Sequence, residues 1–149
     1  MNPIVRVGRA LLVGAAILVA SACSGAGSVE EAADKLAVPA AFASIDAETL
    51  EGFEETQRVL RFSTDLSQAQ ACELARTTLQ EWADQELGEP AAALPLTLCS
   101  YEIRSPANHA QVDYAAARVE RARINDEFVE DPDEPGGVAR VVIFFATDN

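Results

Sequence analysis

The sequence predicts an α+β fold: a small, mainly antiparallel sheet of three to four strands covered by one or two helices. Three observations predict it. Residues 67–87 carry apolar side chains at helical spacing, residues 57–63 and 96–104 have the patterns of half-buried strands, and residues 138–146 form a dense run of β-branched and aromatic residues. Elements that each have one apolar face bury those faces against one another, which favours helices packed on a sheet.

The first strand and the helix after it have the clearest local signals. In the strand at 57–63, Leu60 and Phe62 are expected to point inward. Asp65 and Ser67 are both possible helix caps, and Ser67 with Gln70 three residues later fits a capping box. The predicted helix carries its apolar stripe on Cys72, Ala75, Leu79 and Trp82, and it ends at the sequence Gly88-Glu89-Pro90.

The second half of the chain is predicted to supply the remaining strands. In the strand at 96–104, Cys99 is expected to share the inner face with Tyr101 and Ile103. Residues 106–125 fit two alternatives, because their many alanines favour a helix after Ser105-Pro106, whereas the segment around Val119 can also begin a strand. An acidic turn at 127–137 precedes a buried, central strand at 138–146.

Length and charge limit the class of protein. The chain has 149 residues, which suits one domain, and its net charge is −13. Such an acidic chain lacks the basic surface that binds phosphates, so no nucleic-acid partner is expected. Ten of the 11 basic residues are arginine, which is typical of the codon usage of GC-rich bacterial genomes and indicates no chemistry by itself.

The N-terminus has the pattern of an export signal. Arg6 and Arg9 lie in a start without acidic residues, an apolar run follows at 10–20, and small residues precede Cys23. A membrane-spanning helix is the alternative, but the 13 residues from Ala10 to Ala22 fall short of the ~20 apolar residues that a span needs.

The residues before Cys23 resemble a bacterial lipobox, in the order Val19-Ala20-Ser21-Ala22-Cys23. The resemblance to bacterial lipoproteins implies a diacylglyceryl group on the sulfur of Cys23, cleavage between Ala22 and Cys23, and acylation of the new amino group. It therefore implies residues 1–22 as a signal peptide and a protein anchored by lipid to the extracytoplasmic face of the cell membrane. Alanine stands at position 20 where leucine is usual, and Ala20-Ser21-Ala22 is also an A-x-A site for the ordinary signal peptidase.

Residues 23–55 are predicted to be a lipidated cysteine, a flexible tether at 24–28 and a partly helical linker, with one globular domain at 56–149. Ser28 and Glu31 fit a capping box for a short helix that ends before Pro39. Removal of residues 1–22 leaves nine basic and 24 acidic residues, a net charge of −15. Anionic lipid headgroups repel such a domain, so the lipid and not charge must hold it at the membrane.

The cysteines are consistent with export. If Cys23 carries lipid, Cys72 and Cys99 remain, and an even number in an exported protein predicts a disulfide between them. Both lie on predicted core faces, where two free buried thiols are the alternative. The chain has no C-x-x-C motif of the redox-active kind.

The sequence contains no catalytic or metal-binding pattern that indicates a site or a cofactor. His109 is the only histidine and is interpreted as a surface residue, and a triad with Ser100 or Ser105 lacks the usual nucleophile motif. The acidic run at 126–134 fails as an EF-hand loop, because Pro135 and Val142 occupy positions that need oxygen ligands. The two glycines at 136–137 come before a strand rather than after one, which is the wrong order for a phosphate loop.

These observations predict a lipid-anchored envelope protein with a non-catalytic domain that binds an envelope protein or a small ligand. Three alternatives stay open: a small exported hydrolase with carboxylates assembled in the fold, a secreted protein without lipid, and a subunit docked on a membrane protein. The sequence does not specify the oligomeric state.

Overall fold

The computed structural model describes residues 26–88, 94–97, 99–106 and 112–149. The helices and strands within these ranges are α1 Ala26–Asp34, β1 Ala43–Glu51, β2 Glu55–Thr64, α2 Gln68–Glu86, β3 Leu94–Thr97, β4 Ser100–Arg104, β5 Tyr114–Ile124, β6 Glu127–Phe128 and β7 Val138–Asp148.

The strands form one antiparallel sheet. Within the described ranges, six strands follow the order β1-β2-β7-β5-β4-β3, and the short β6 pairs with the end of β5. The predicted number of three to four strands is therefore wrong. The α+β character, with helices packed on a sheet, is confirmed, and the last strand is central as predicted because β7 lies between β2 and β5.

The first additional strand, β1, lies in the region interpreted from the sequence as a linker. It pairs along its length with β2, and the turn between them closes with a hydrogen bond from the amide of Gly52 to the carbonyl oxygen of Glu55, 2.8 Å. Only Thr49 in β1 is even partly buried. An edge strand with so little burial shows no alternation of apolar and polar side chains. The sequence pattern therefore gives no sign that the sheet begins before residue 56.

The predicted strand at 96–104 is two strands of a hairpin. β3 pairs with β4, and Cys99 lies between them at the turn rather than within a strand. Tyr101 and Ile103 still face the helices, as predicted, and Ile103 is fully buried.

The ambiguous segment 106–125 is a strand over its described second half. β5 pairs with β4 on one side and with β7 on the other, so that the hydrogen bonds of two neighbours outweigh the helix propensity of its alanines. Three consecutive alanines, 115–117, are buried there.

Helix α2 forms as predicted. The hydroxyl of Ser67 accepts from the amide of Gln70, and the Gln70 side chain accepts from the amide of Ser67, which completes the capping box. Helix α1 differs, because it begins at Ala26 and Ser28 lies inside it instead of capping it.

The core lies between the two helices and one face of the sheet. Small side chains, Ala71 and Ala75 of α2 with Ala115 and Ala117 of β5, are all fully buried and permit close approach of helix and strand. Trp82 joins the two helices to the sheet: its indole Nε1 donates to the carbonyl oxygen of Ala32 at 3.0 Å, and its ring packs edge-on against Phe145.

Candidate binding site on the open face of the sheet

The sheet has one covered face and one that no described helix covers. In β7 the core side chains are Ala139, Val141, Ile143 and Phe145, so the alternate residues point away from the helices. We call the side opposite the helices the open face; on its central strands it carries Val59, Arg61, Tyr114, Ala116, Arg118, Glu120, Val138, Arg140, Val142 and Phe144.

A groove of about 760 Å³ lies at one end of the open face. We call it the arginine groove; its lining is Ile45, Ser63, Glu120, Arg121, Arg123, Asn125, Asp126, Phe128, Val138, Ala139 and Arg140. A shallower depression of about 370 Å³ shares Glu120 and Arg140 with it and continues across the face towards Tyr114 and Leu50. Together they form a continuous concave surface that reaches from β6 across to β1 and β2.

Positive charge concentrates on this surface. Five of the nine basic residues in 23–149 line the two depressions, against the two carboxylates Glu120 and Asp126 that line them. The other 22 acidic residues of 23–149 lie outside the lining of the two depressions, together with only four basic residues. A chain with a strongly negative total charge thus presents a cationic surface at one place.

Two local arrangements shape the charge in the groove. Arg121 and Arg123 stack on Phe128, with their Cζ atoms 5.3 and 4.4 Å from the ring centroid, and neither has a carboxylate at ion-pair distance among the described residues. Arg118 and Arg140 share the carboxylate of Glu120 at 3.9 and 4.0 Å. One carboxylate for two guanidinium groups, at those distances, leaves their donors available to a further anion.

The strand β2 side of the open face is different, because its charge is neutralised. Arg61 contacts Asp46 at 2.7 Å and also Glu48, and these hydrogen bonds, that to Asp46 first, raise the pKa of the guanidinium further above its usual range. Arg61 is therefore occupied, whereas Arg121 and Arg123 of β5 have no carboxylate partner among the described residues, and Arg118 and Arg140 share the single carboxylate of Glu120.

Tyr114 lies at the opposite end of the open face. Its hydroxyl donates to Oε2 of Glu55 at 3.0 Å, and Arg104 lies over its ring with Cζ 5.8 Å from the centroid. Burial, followed by the hydrogen bond to Glu55, raises the pKa of the phenol above its usual value of 10.0. The phenol is thus neutral at ordinary pH and acts as a hydrogen-bond donor.

The predicted disulfide is present between Cys72 and Cys99, with the two Cα atoms 5.3 Å apart. It connects the first turn of α2 to the turn between β3 and β4, and Gln68 Nε2 lies 3.9 Å from the Cys99 sulfur. The bond is part of the core and lies on the side of the sheet away from the open face.

The other predicted positions gather no site in the structure. Cys23 and His109 lie outside the described residues, Ser100 begins β4, and the amide of Ser105 donates to the carbonyl oxygen of Asp113. The acidic run is a turn around β6, with positive φ at Asn125 and Asp126. In the described part of the chain no three His, Cys, Asp or Glu side chains are placed to hold a metal, and no helix there is long and apolar enough to cross a bilayer.

Sequence reasoning missed the arginine groove. A signal exists in hindsight, since Arg61, Arg118 and Arg140 each occupy the polar positions of an alternating strand. This signal could not be used while residues 106–125 fitted either a helix or a strand, because a helix would have pointed Arg118, Arg121 and Arg123 in different directions. Pairing of β5 with β7 brings them to one face.

Compared with known proteins, the chain matches no protein-family model, and no curated protein or solved structure is significantly similar to it.

Proposed function

We propose that this protein is a non-catalytic binding module of the bacterial envelope, anchored by a lipid on Cys23, whose open sheet face is the surface that binds its partner. The observation that carries the binding role is the arginine groove: Arg121 and Arg123, which have no carboxylate partner in the described part of the chain, line a concave surface in an otherwise acidic chain.

Exposed apolar side chains in the same groove support a binding role. Ile45, Phe128 and Val138 are 49%, 52% and 54% exposed, although each is large and apolar. Clustered exposed apolar groups beside charged ones are typical of binding surfaces.

The lipid anchor is supported by the lipobox-like residues, and the position of α1 limits the distance between that anchor and the domain. The helix begins at Ala26, three residues after Cys23, so an extended connection spans at most about 10 Å. A lipid at Cys23 would hold the domain against the membrane surface rather than on a long tether, where it meets partners that are embedded in or attached to that membrane.

Replacement of the thiol tests the anchor. We expect the full-length protein to sediment with the membrane fraction of a bacterial host, and the Cys23→Ser variant to be absent from it. Ser24→Ala, a change at the neighbouring residue that keeps the thiol, is the matched control and should sediment like the unmodified protein. Equal sedimentation of Cys23→Ser and the control would refute the lipid anchor.

Site-specific photo-crosslinking tests the open face. A benzophenone amino acid at the exposed Val138 is expected to give a discrete protein adduct in the producing organism, whereas the same group at Gln85, exposed on α2, should not. If both positions crosslink equally or neither does, the open face is not the binding surface.

A further inference from the structure

We infer that the arginine groove binds an acidic amphipathic segment of a partner protein, in which carboxylates flank a row of apolar side chains. The inference rests on the proposed function, because it names the ligand of the surface assigned there. The proposed ligand is a peptide segment rather than a lipid surface or a second copy of the chain.

The positive groups of the groove are arranged to receive carboxylates. Arg121 and Arg123 are exposed, and Phe128 supports both guanidinium groups by stacking. A guanidinium held on an aromatic ring loses less conformational freedom on binding, and its planar edge can donate two hydrogen bonds to one carboxylate. Arg140 on the neighbouring strand adds a third guanidinium to the groove, 4.0 Å from the carboxylate of Glu120.

The apolar groups of the groove lie beside those cations. Val138 is on β7 between the arginines of β5 and the side chain of Ile45 on the β1 side, and Phe128 closes the outer end. An occupant that buries the exposed halves of these side chains must bring its own apolar groups. A segment on which carboxylates and apolar side chains alternate matches both the arginines and the apolar side chains of the groove.

The shape of the surface favours a chain over a compact ligand. The groove continues into the second depression through Glu120 and Arg140, so an occupant can lie along β5 and β7 from the β6 end of the face towards Tyr114. Strands of this sheet are 10 to 11 residues long in β2, β5 and β7, which gives the face a length of about 35 Å. A helix or extended segment of a partner has the dimensions to cross such a face.

A flat anionic membrane fits less well. The acidic turn at 126–134 borders the groove next to Phe128, and Asp46 and Glu48 border its other side. A plane that touched the arginines would also approach these carboxylates, whereas a narrow segment contacts the arginines between them.

The test uses the oxidised protein of residues 24–149 and two fluorescein-labelled peptides of about 16 residues, both made of leucine and glutamate. In one peptide the leucines have helical spacing, and in the other they alternate with the glutamates as in a strand. Fluorescence anisotropy at low salt measures their affinity. At least one peptide is expected to bind, and its counterpart with glutamine in place of every glutamate is expected to bind about tenfold more weakly or not at all.

Variants locate the binding. R121Q/R123Q removes two exposed cations and is expected to weaken binding of the acidic peptide about tenfold, and Val138→Asp, which adds a like charge to the groove, should weaken it as well. R76Q removes a cation from the surface of α2 and is the matched control, for which unchanged affinity is expected. Circular dichroism of each variant checks that the fold is kept.

Three outcomes would overturn the inference: no binding of either acidic peptide, equal weakening by R76Q, or groove-dependent sedimentation with phosphatidylglycerol vesicles in place of peptide binding. Concentration-dependent dimerisation that R121Q/R123Q abolishes would also overturn it, in favour of a second copy. If Val138 crosslinks in cells while the peptides fail, the proposed function stands and only the ligand class is wrong.

Discussion

Phe145 is the side chain on which the helices and the sheet depend most. It is fully buried on the central strand β7 and packs against Trp82 with the ring centroids 4.8 Å apart. We expect Phe145→Ala to lower the free energy of unfolding by about 3–5 kcal/mol, because the mutation removes buried apolar contacts and leaves a cavity between sheet and helix. Urea unfolding followed by Trp82 fluorescence measures the loss.

The matched control for that experiment is Phe53→Ala. Phe53 lies in the β1–β2 turn and is 100% exposed, so the same truncation removes almost no packing. Its effect should stay within about 0.5 kcal/mol. Equal losses for Phe145→Ala and Phe53→Ala would contradict the placement of the core.

Tyr114 gives a prediction about high pH. Its raised pKa means that the folded state holds the phenol proton more tightly than the unfolded state. The resulting stability is complete below the ordinary pKa of about 10 and is lost as the pH rises through the folded-state value. Ultraviolet titration of a Tyr101→Phe variant, in which Tyr114 is the only tyrosine, should show ionisation above the range of free tyrosine.

Glu55 is the partner to change in that titration. Glu55→Gln removes the negative charge that the hydroxyl of Tyr114 faces, so the pKa of the phenol should move down towards its usual value. Burial is the larger cause and remains, so the shift is expected to be partial. An unchanged titration would show that the hydrogen bond between Tyr114 and Glu55 does not form in solution.

At the scale of elements, the disulfide makes α2 and the β3–β4 hairpin one unit. The bond closes a loop between Cys72 and Cys99, 27 positions apart. Reduction is expected to lower the free energy of unfolding by about 3–4 kcal/mol, because the unfolded chain gains conformational freedom. Urea unfolding with and without reductant measures the difference.

The double variant Cys72→Ala/Cys99→Ala is the control for reduction. It should unfold at the lower denaturant concentration of the reduced protein and should not respond to reductant. A variant as stable as the oxidised protein would mean that the disulfide does not constrain the unfolded chain.

The elements also show which parts of the fold a sequence can predict. α2 was predictable because its signals are local: a capping box at Ser67 and Gln70, and one apolar stripe. β5 was not, because its alanines favour a helix and the neighbours that make it a strand, β4 and β7, are distant in sequence. β1 was hidden for a different reason, since an exposed edge strand lacks apolar alternation.

The candidate site was less predictable than the fold. The cysteine pair followed from counting, because only two thiols remain after Cys23. The arginine groove did not, because Arg121, Arg123 and Arg140 meet only through the pairing of two strands that an acidic turn separates. The net charge of the whole chain does not reveal such a local cationic surface.

At the scale of the whole molecule, charge opposes folding. Residues 23–149 carry a net charge of −15, and compaction brings these carboxylates closer together than in the unfolded chain. Ion pairs such as Lys35 with Glu86 at 3.0 Å act in the opposite direction, but exposed pairs of this kind contribute little. Repulsion should therefore be the larger of the two effects.

The salt dependence of stability shows whether charge repulsion or the surface ion pairs have the larger effect, because salt screens both. Raising NaCl from about 0.05 M to about 0.3 M shortens the screening length from roughly 14 Å to about 6 Å, which weakens repulsion across the surface more than contact ion pairs. We expect the Tm of residues 24–149 to rise with salt in a thermal scan. R121Q/R123Q makes the domain more acidic by two charges, so its Tm should rise more with salt than that of the unmodified protein. R76Q/R104Q removes the same number of positive charges at distant positions. The Tm of this control should rise by the same amount if total charge governs the effect. A Tm that falls with salt would mean that the surface ion pairs outweigh the repulsion.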